Sequence, residues 1–217
     1  MRIGALEAGG TKMVCAIGNE KGEILERESF PTETPEITLP KLVAYFEERN
    51  VEALGIGCFG PIDLHQDSDT YGYITTTPKI AWQNCNIVGA FEKLQVPIGF
   101  DTDVNESVLP ALEERWGKLG IELVENKEVW ELEAYYIAQA LVDYVMMLSP
   151  QKIILGGGVM HQEQLFPLIR EKFKEMLNGY IDTKELENLD NYIVPPYLED
   201  NQGIMGAIQL ALLALDK

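Results

Sequence analysis

Long apolar runs are absent from this chain of 217 residues. No run reaches 18 apolar residues, about the length that a membrane-spanning helix needs, so we expect no membrane segment. The first residues form a predicted strand and not a secretory signal peptide, which favours a cytoplasmic protein. Hydrophobic residues nevertheless make up 46% of the chain, enough for a sizeable core in one large or two small domains.

Cysteine is also scarce. The three cysteines are Cys15, Cys58 and Cys85, an odd number at wide spacing. This pattern argues against a disulfide framework and against a Cys-x-x-Cys metal site, and it is typical of the reducing cytoplasm.

Positive charge is the third shortage. The chain has 17 lysines and arginines against 35 aspartates and glutamates, and its net charge is −18. An acidic surface repels nucleic acid, so we expect no nucleic-acid partner. Any anionic ligand must be bound locally, by backbone N–H groups, by a lysine or by a metal ion.

The stretch that organises the chain is RIGALEAGGTKMVCAI, near the N-terminus. Strand-forming residues flank Gly9 and Gly10, which predicts two strands joined by a tight turn. Such a turn presents backbone N–H groups to phosphate oxygens, while Thr11 adds a hydroxyl and Lys12 a positive charge. Glu7 could hold a hydrated Mg²⁺ beside them. The alternative from the residues alone is a plain hairpin with a Gly-Gly turn.

Hydrophobic periodicity predicts strands first and helices later. The predicted elements of the first half are strands at 2–7, 12–18 and 23–30, a helix opening at Thr34-Pro35, a strand at 53–57, an irregular region at 64–87, a helix at 88–94 and a strand at 97–100. The predicted elements of the second half are helices at 105–116, 129–148, 162–177, 183–188 and 201–215, with strands at 152–155 and 192–195. This order favours an α/β fold with a mixed sheet.

Several motifs then stand in a characteristic order. They are EAGGTK (7–12), GIGCFGPID (55–63), TTPKIAW (76–82), FDTDVN (100–105), LGGGVM (155–160) and NQGIMGA (201–207). Together they resemble the sugar kinases of the ROK family, and EAGGTK with YGYITTTPK is most similar to the bacterial fructokinase branch. The resemblance covers nearly the whole chain. It implies the actin/hexokinase-like (ribonuclease H-like) α/β fold and ATP-dependent phosphorylation of a hexose, fructose to fructose 6-phosphate, with ATP and Mg²⁺.

The resemblance also implies roles for particular residues. Asp103 matches the family's general base, Asn105 matches a sugar-binding residue, and Glu7 takes the place of an aspartate near the magnesium ion. The implied nucleotide contacts are Gly9, Gly10, Thr11, Lys12, Gly156, Gly157 and Gly158. The implied sugar pocket is shaped by Gly60, Pro61, Thr77 and Lys79.

The chemistry asks for the same residue types. A sugar hydroxyl attacks phosphorus when a carboxylate accepts its proton, and phosphoryl transfer otherwise needs positioning and charge neutralisation. Each assignment has a structural alternative. Asp103 is also a favoured helix N-cap, Asn105 a turn or cap, the glycines at 156–158 a flexible turn, and Trp82 either a core or a pocket residue.

A segment that the resemblance predicts after Asn105 is missing. In relatives this segment holds a second Gly-rich loop of the form GTGIGGG, a Gly-His pair at the sugar and a zinc site of one His and three Cys. Here ESVLPALEERWGKLG follows almost directly, and the two histidines, His65 and His161, lie far apart. We therefore predict no zinc site, a complete first domain at 1–104 and a reduced, mostly helical second domain at 105–217. The final helix could pack back on the first domain.

Three interpretations follow. The first is a fructokinase impaired by the missing segment, and the second is a non-catalytic remnant or engineered minimal scaffold that binds sugar or nucleotide weakly. The third, a ROK-type repressor, is disfavoured because such proteins add an N-terminal helix-turn-helix, because this chain begins with the strand before EAGGTK, and because its net charge is −18. The expected partners are a small sugar and a nucleotide and, since relatives often pair, a second copy of the chain.

Overall fold

The computed structural model describes residues 1–102, 108–198 and 201–216. Its contacts divide the chain into two compact units, Met1–Asn105 with Asp200–Lys217, and Glu106–Glu199. The division drawn from the sequence kept residues 105–217 together, whereas in the structure the C-terminal helix belongs to the first unit.

The first unit consists of a mixed sheet with helices on both faces. Its strands are β1 (Ile3–Ala8), β2 (Lys12–Gly18), β3 (Ile24–Pro31), β4 (Ala53–Cys58), the short pair β5 (Tyr73–Ile74) and β6 (Cys85–Asn86), and β7 (Ile98–Thr102). Its helices are α1 (Pro35–Glu48), α2 (Ile87–Ala90) and α7 (Gln202–Leu215). The five-stranded sheet has the order β3-β2-β1-β4-β7, in which β1 to β3 form an antiparallel meander and β4 and β7 run parallel to β1.

One face of this sheet carries the larger core. Alternate strand residues such as Leu6 and Ile56 point to this face and pack with Leu42 and Phe46 of α1. The helix starts with Pro35 in its first turn, where the missing N–H of proline costs nothing. The predicted helix after Thr34 is therefore confirmed.

The opposite face is covered by α7, whose backbone lies directly on the sheet. A Cβ atom on Gly55 would lie 1.7 Å from the carbonyl oxygen of Ala207, and one on Gly99 would lie 2.1 Å from that of Leu210. Gly55 and Gly99 are register partners on β4 and β7, so together they form a flat surface for the helix. No side chain larger than hydrogen fits at either position.

The predicted irregular region at 64–87 has some order of its own. It contains β5 and β6, which pair antiparallel, and a 3₁₀ turn at Ile80–Trp82. Asp63 closes the loop between β4 and β5, because its carboxylate accepts hydrogen bonds from the Ser68 hydroxyl at 2.6 Å and the Thr70 hydroxyl at 2.7 Å. These bonds, with a further one from the backbone N–H of His65, hold the pKa of Asp63 well below its usual range.

The second unit is mostly helical. Its described elements are α3 (Val108–Trp116), α4 (Lys127–Leu148), β8 (Ile153–Ile154), α5 (Leu165–Leu177), α6 (Leu189–Tyr192) and β9 (Ile193–Val194), with 3₁₀ turns at Gly120–Leu123, Gly158–His161 and Lys184–Glu187. Its core lies between α4 and α5, where Ala138 and Leu141 meet Ile169 and Phe173. β8 and β9 form a two-stranded parallel pair, so within residues 108–198 the sheet is as small as the sequence predicted.

Several predicted boundaries were wrong by a few residues. The helix predicted at 88–94 is a four-residue helix followed by a 3₁₀ turn at Glu92–Leu94. The strand predicted at 192–195 is shortened to Ile193–Val194, and Tyr192 ends α6 instead. Short elements of this kind depend on tertiary contacts more than on local periodicity.

Candidate active site

The carboxyl ends of three parallel strands meet at one edge of the first sheet. β1 leads into the turn at 9–11, β4 leads into the loop at 59–63, and β7 ends at Thr102. Glu7, Gly57 and Asp101 stand side by side in the register of these strands. Ligands of open α/β sheets bind at such an edge.

The turn after β1 is built on glycine. The N–H of Gly9 donates to the carbonyl oxygen of Lys12 at 3.1 Å, and a Cβ atom on Gly9 would lie 2.6 Å from that same oxygen. Thr32 fastens the turn from outside, since its hydroxyl donates to the Gly9 carbonyl at 2.8 Å and its N–H donates to the Thr11 carbonyl at 3.0 Å. The turn is therefore short and fixed in shape before any ligand arrives.

Lys79 reaches this turn from a distant part of the chain. A Cβ atom on Gly10 would lie 3.2 Å from the Cε atom of Lys79. The structure thus brings together two motifs, EAGGTK and TTPK, that stand far apart in sequence. Thr11 and Lys12 are exposed beside them.

The carboxylate of Glu7 lies against the first turn of α7. A Cβ atom on Gly203 would lie 2.6 Å from Cδ of Glu7 and 2.8 Å from its Oε2. The N-terminal end of a helix carries partial positive charge, which favours a carboxylate there. The start of α7, at residues 201–203, therefore stabilises the Glu7 carboxylate, a role that the NQGIMGA motif alone did not indicate.

The loop after β4 is tied to the TTPK region. The N–H and the hydroxyl of Thr75 both donate to the carbonyl of Pro61, at 2.8 Å and 3.0 Å. A Cβ atom on Gly60 would lie 3.8 Å from the hydroxyl oxygen of Thr102. Gly60 and Pro61 therefore lie beside the end of β7, which carries the first three residues of the FDTDVN motif, 100–102.

Thr77 and Trp82 are buried supports of this region. Thr77 is only 4% exposed, its hydroxyl accepts from the N–H of Lys79 at 3.3 Å, and its carbonyl accepts from the Gln83 side chain at 2.9 Å. Trp82 is 1% exposed, donates through its indole N–H to the carbonyl of Glu33 at 2.8 Å, and packs edge-on against Phe59. Of the two roles open to Trp82, the structure shows core packing.

Two predicted residues, Asp103 and Asn105, lie outside the described residues. The last described residues before them are Asp101 and Thr102, both exposed at the end of β7. The assignments of Asp103 as general base and Asn105 as sugar ligand stay predictions.

The glycines at 156–158 lie in the second unit and are exposed; Gly156 and Gly157 follow β8, and Gly158 begins a 3₁₀ turn. Gly157 has φ of +95°, a conformation that residues with a side chain rarely adopt, and open space surrounds it. The turn is thus accessible to a ligand. Its predicted contact with adenosine stays a prediction.

Across residues 1–102, 108–198 and 201–216, no three His, Cys, Asp or Glu side chains gather closely enough to bind a metal ion. Burial raises the pKa of the Cys15 thiol, which keeps it protonated at neutral pH. In the same part of the chain, every helix is too short or too polar to cross a bilayer.

Solved structures of known proteins share the fold described above. Solved structures with the same fold include a ROK family protein from Streptococcus pneumoniae TIGR4 in complex with sucrose (TM-score 0.75, 14% identity, 100% of each chain covered). Another is a ROK family glucokinase from Streptomyces griseus with glucose and AMPPNP (TM-score 0.72, 17% identity, covering 98% of this chain and 100% of that chain). The expected actin/hexokinase-like fold is therefore confirmed.

Sequence similarity identifies the family. A model of the ROK family matches residues 3–118 and 120–214, and the chain belongs to this family. It is 36% identical over 288 positions to a fructokinase of Pediococcus pentosaceus, covering 99% of each chain. It is 35% identical over 290 positions to a fructokinase of Streptococcus mutans, covering 99% of this chain and 97% of that one.

These alignments are longer than the chain. The 288 positions aligned with the Pediococcus pentosaceus protein exceed the 217 residues present here by 71, so at least that many positions have no counterpart. The predicted loss of an internal segment is consistent with this excess. The two stretches matched by the family model adjoin at residue 119, downstream of Asn105.

Proposed function

We propose that this chain is an ATP-dependent sugar kinase that converts fructose to fructose 6-phosphate. The observation that supports this most is the glycine turn after β1, which is short, fixed in shape and close to the Lys79 side chain at the carboxyl edge of parallel strands. The names of the similar proteins support fructose as the sugar, because both relatives described above are fructokinases.

The phosphate end of the nucleotide fits the turn. Gly9 and Gly10 let the backbone turn tightly without a side chain in the way, and Thr11 and Lys12 are exposed at the turn. Bound Mg²⁺ would supply charge neutralisation on the phosphate oxygens, and it usually takes one or two carboxylates together with waters. Glu7, held against the start of α7, is the carboxylate that would bind it through water.

Acceptance of the hydroxyl proton is assigned to Asp103. The sugar oxygen forms its bond to the terminal phosphorus, the bond from that phosphorus to the bridging oxygen breaks, and the carboxylate takes the proton. A positioned base of this kind contributes roughly 10²–10⁴ in rate. The residues assigned to the sugar pocket are Asn105, Gly60, Pro61, Thr77 and Lys79, and those assigned to adenosine are Gly156, Gly157 and Gly158.

The second candidate is a remnant of the kinase that binds ligands without turnover. The absence of at least 71 aligned positions favours it, because the predicted loss includes the second Gly-rich loop. Positioning of the reactants can account for about 7–11 kcal/mol of a barrier. A site that holds the triphosphate from one side only would lose much of that contribution.

Formation of ADP separates the two candidates. The purified chain is incubated with ATP and Mg²⁺, with fructose, glucose, mannose or no sugar, and ADP is measured by a coupled assay. The proposed function predicts an ADP rate with fructose well above the rate without sugar and above that with glucose or mannose. A rate that fructose does not raise contradicts it, and ATP binding under the same conditions would then favour the remnant.

A further inference from the structure

We propose that Lys79 contacts the phosphate group bound at the Gly9–Gly10 turn, and not the sugar. The inference rests on the proposed function and refines it by giving Lys79 to the phosphoryl donor. It is carried by the approach of the Lys79 side chain to Gly10.

The end of the Lys79 side chain lies close to the Gly9–Gly10 turn. Cε of Lys79 lies 3.2 Å from the point where Gly10 would carry a Cβ atom. The ammonium nitrogen is one bond beyond Cε, so it can reach the mouth of the turn. A phosphate oxygen that accepts hydrogen bonds from the N–H groups of this turn would be within reach of that nitrogen. Any larger residue than glycine at position 10 would press on the lysine side chain.

The backbone of Lys79 is fixed by the core beneath it. Its carbonyl accepts from the N–H of Trp82 at 2.8 Å, and its N–H donates to the buried hydroxyl of Thr77 at 3.3 Å. Trp82 is itself fixed by its bond to the Glu33 carbonyl. The lysine therefore projects from a rigid base, which reduces the entropy that a phosphate contact would cost.

The charge of Lys79 is available to a ligand. Three lysines of the described chain are paired with carboxylates, namely Lys41 with Glu33, Lys93 with Glu47 and Lys172 with Glu175. Within residues 1–102, 108–198 and 201–216, Lys79 lies within 4.0 Å of no carboxylate oxygen. In a chain of net charge −18, an ammonium with no carboxylate partner among the described residues favours an anion at the glycine turn.

A sugar hydroxyl and a phosphate make different demands on this position. A neutral hydroxyl accepts one hydrogen bond from a lysine, whereas a phosphate oxyanion also gains from its charge. Substitution of Lys79 therefore changes the affinity for different ligands in the two cases.

The test uses calorimetric titration of the full chain with ATP·Mg²⁺, AMP and fructose separately. Lys79→Met removes the charge, Lys79→Arg keeps it, and Lys21→Met is the matched control. Lys21 is an exposed lysine in the β2–β3 turn, at the opposite end of the sheet. Thermal unfolding of each variant is expected to match that of the wild type, because the ammonium of Lys79 has no partner in the described chain.

The expected result is a loss of at least about tenfold in ATP·Mg²⁺ affinity for Lys79→Met, since hydrogen bonds to charged groups are strong. AMP, which lacks the outer phosphates, and fructose are expected to bind within about twofold of wild type. Lys79→Arg is expected to recover most of the loss, and Lys21→Met to show none.

Three outcomes would overturn the inference. They are an unchanged ATP·Mg²⁺ affinity in Lys79→Met, an equal loss for AMP, and a loss confined to fructose, which would return Lys79 to the sugar. Absence of ATP·Mg²⁺ binding by the wild-type chain would overturn both this inference and the proposed function. Binding without ADP formation would contradict the turnover alone and leave the comparison of variants valid.

Discussion

At the scale of single residues, the candidate site depends on where side chains are absent as much as on where they are present. A Cβ atom on Gly9 would collide with the Lys12 carbonyl oxygen, and a Cβ atom on Gly10 would press against the Lys79 side chain. Gly203 makes space for the carboxylate of Glu7. Each of these glycines permits a close approach that a functional group of the site uses.

Asp103→Asn is expected to remove at least about 99% of any phosphoryl transfer, because a general base contributes roughly 10²-fold or more. The fold is expected to persist, since asparagine caps a helix as well as aspartate does. The measurement is the ADP rate with fructose, with circular dichroism to compare the folds. Asp143→Asn, an exposed substitution on α4, serves as the control. A variant that keeps more than about a tenth of wild-type turnover shows that Asp103 is not the base.

Asp63 gives a prediction about pH. Its folded pKa is lowered by the Ser68, Thr70 and His65 hydrogen bonds, so it stabilises the fold fully above its unfolded pKa of about 3.9. The stabilisation is lost as pH falls below that value toward the folded pKa. Urea unfolding of the wild type and Asp63→Asn should therefore differ most near pH 7 and converge in acid.

The control for this comparison is Asp67→Asn, at an exposed position of the same loop. Its difference from the wild type should be small throughout the pH range. A stability difference for Asp63→Asn that stays constant from pH 7 to pH 2 would show that the carboxylate charge is not what closes the loop.

The residue-scale predictions from sequence were strongest where the signal was local. The Gly-Gly turn could be predicted because glycine pairs between strand-forming residues mark turns. The contact of Lys79 with that turn could not, because it joins two segments nearly 70 residues apart through the packing of Trp82 and Phe59. No local pattern carries such information.

At the scale of elements, the placement of α7 depends on a pair of glycines. Gly55→Ala would set a Cβ atom 1.7 Å from the Ala207 carbonyl oxygen, so the helix would have to move. We expect the free energy of unfolding to fall by about 1–3 kcal/mol, which corresponds to a decrease of roughly 2–12 °C in Tm for a chain of this size. Gly57→Ala, two residues along the same strand and in open space, is expected to change stability by less than about 0.5 kcal/mol.

Thermal unfolding of both variants by calorimetry measures this difference. Equal Tm values for Gly55→Ala and Gly57→Ala would show that α7 does not lie on the strands as closely as described.

The elements predicted best were long and periodic. α4 was predicted at 129–148 and spans Lys127–Leu148, because its buried residues recur at helical spacing. α3 was predicted at 105–116 and spans Val108–Trp116, so Pro110 falls within its first turn, where the missing N–H of proline is harmless. The two-residue strands of the β5–β6 pair lie in the region predicted as irregular and are too short to give a reliable local signal, whereas β8 and β9 fall within the strands predicted at 152–155 and 192–195.

At the scale of the whole molecule, the two structural units do not follow the domain boundary that the sequence predicted after residue 104. Residues 200–217 join the first unit across more than 90 intervening residues. The sequence indicated this only as an option, because the apolar residues of α7 fit any core of the right size. The decisive feature is the match between the flat Gly55–Gly99 surface and the α7 backbone.

The absence of a zinc site is a prediction about the entire chain. Its two histidines and three cysteines are too scattered to form a tetrahedral site from neighbouring residues. Metal analysis after dialysis against a chelator is expected to find far less than one zinc per chain. A stoichiometric zinc that survives dialysis would contradict the account of the missing segment.

The measurement that tests the central claim most directly is calorimetric titration of ATP·Mg²⁺ into two proteins. One is the present chain, and the other carries, inserted after Asn105, the segment predicted to be missing, with its second Gly-rich loop. We expect saturable binding of one ATP by the present chain, because the Gly9–Gly10 turn remains. The restored protein is expected to bind roughly a hundredfold more tightly, since two hydrogen bonds to phosphate at about 1.5–3 kcal/mol each return with the second loop. No saturable binding by the present chain would contradict the assignment of the turn, and equal affinities would show that the missing loop does not contribute.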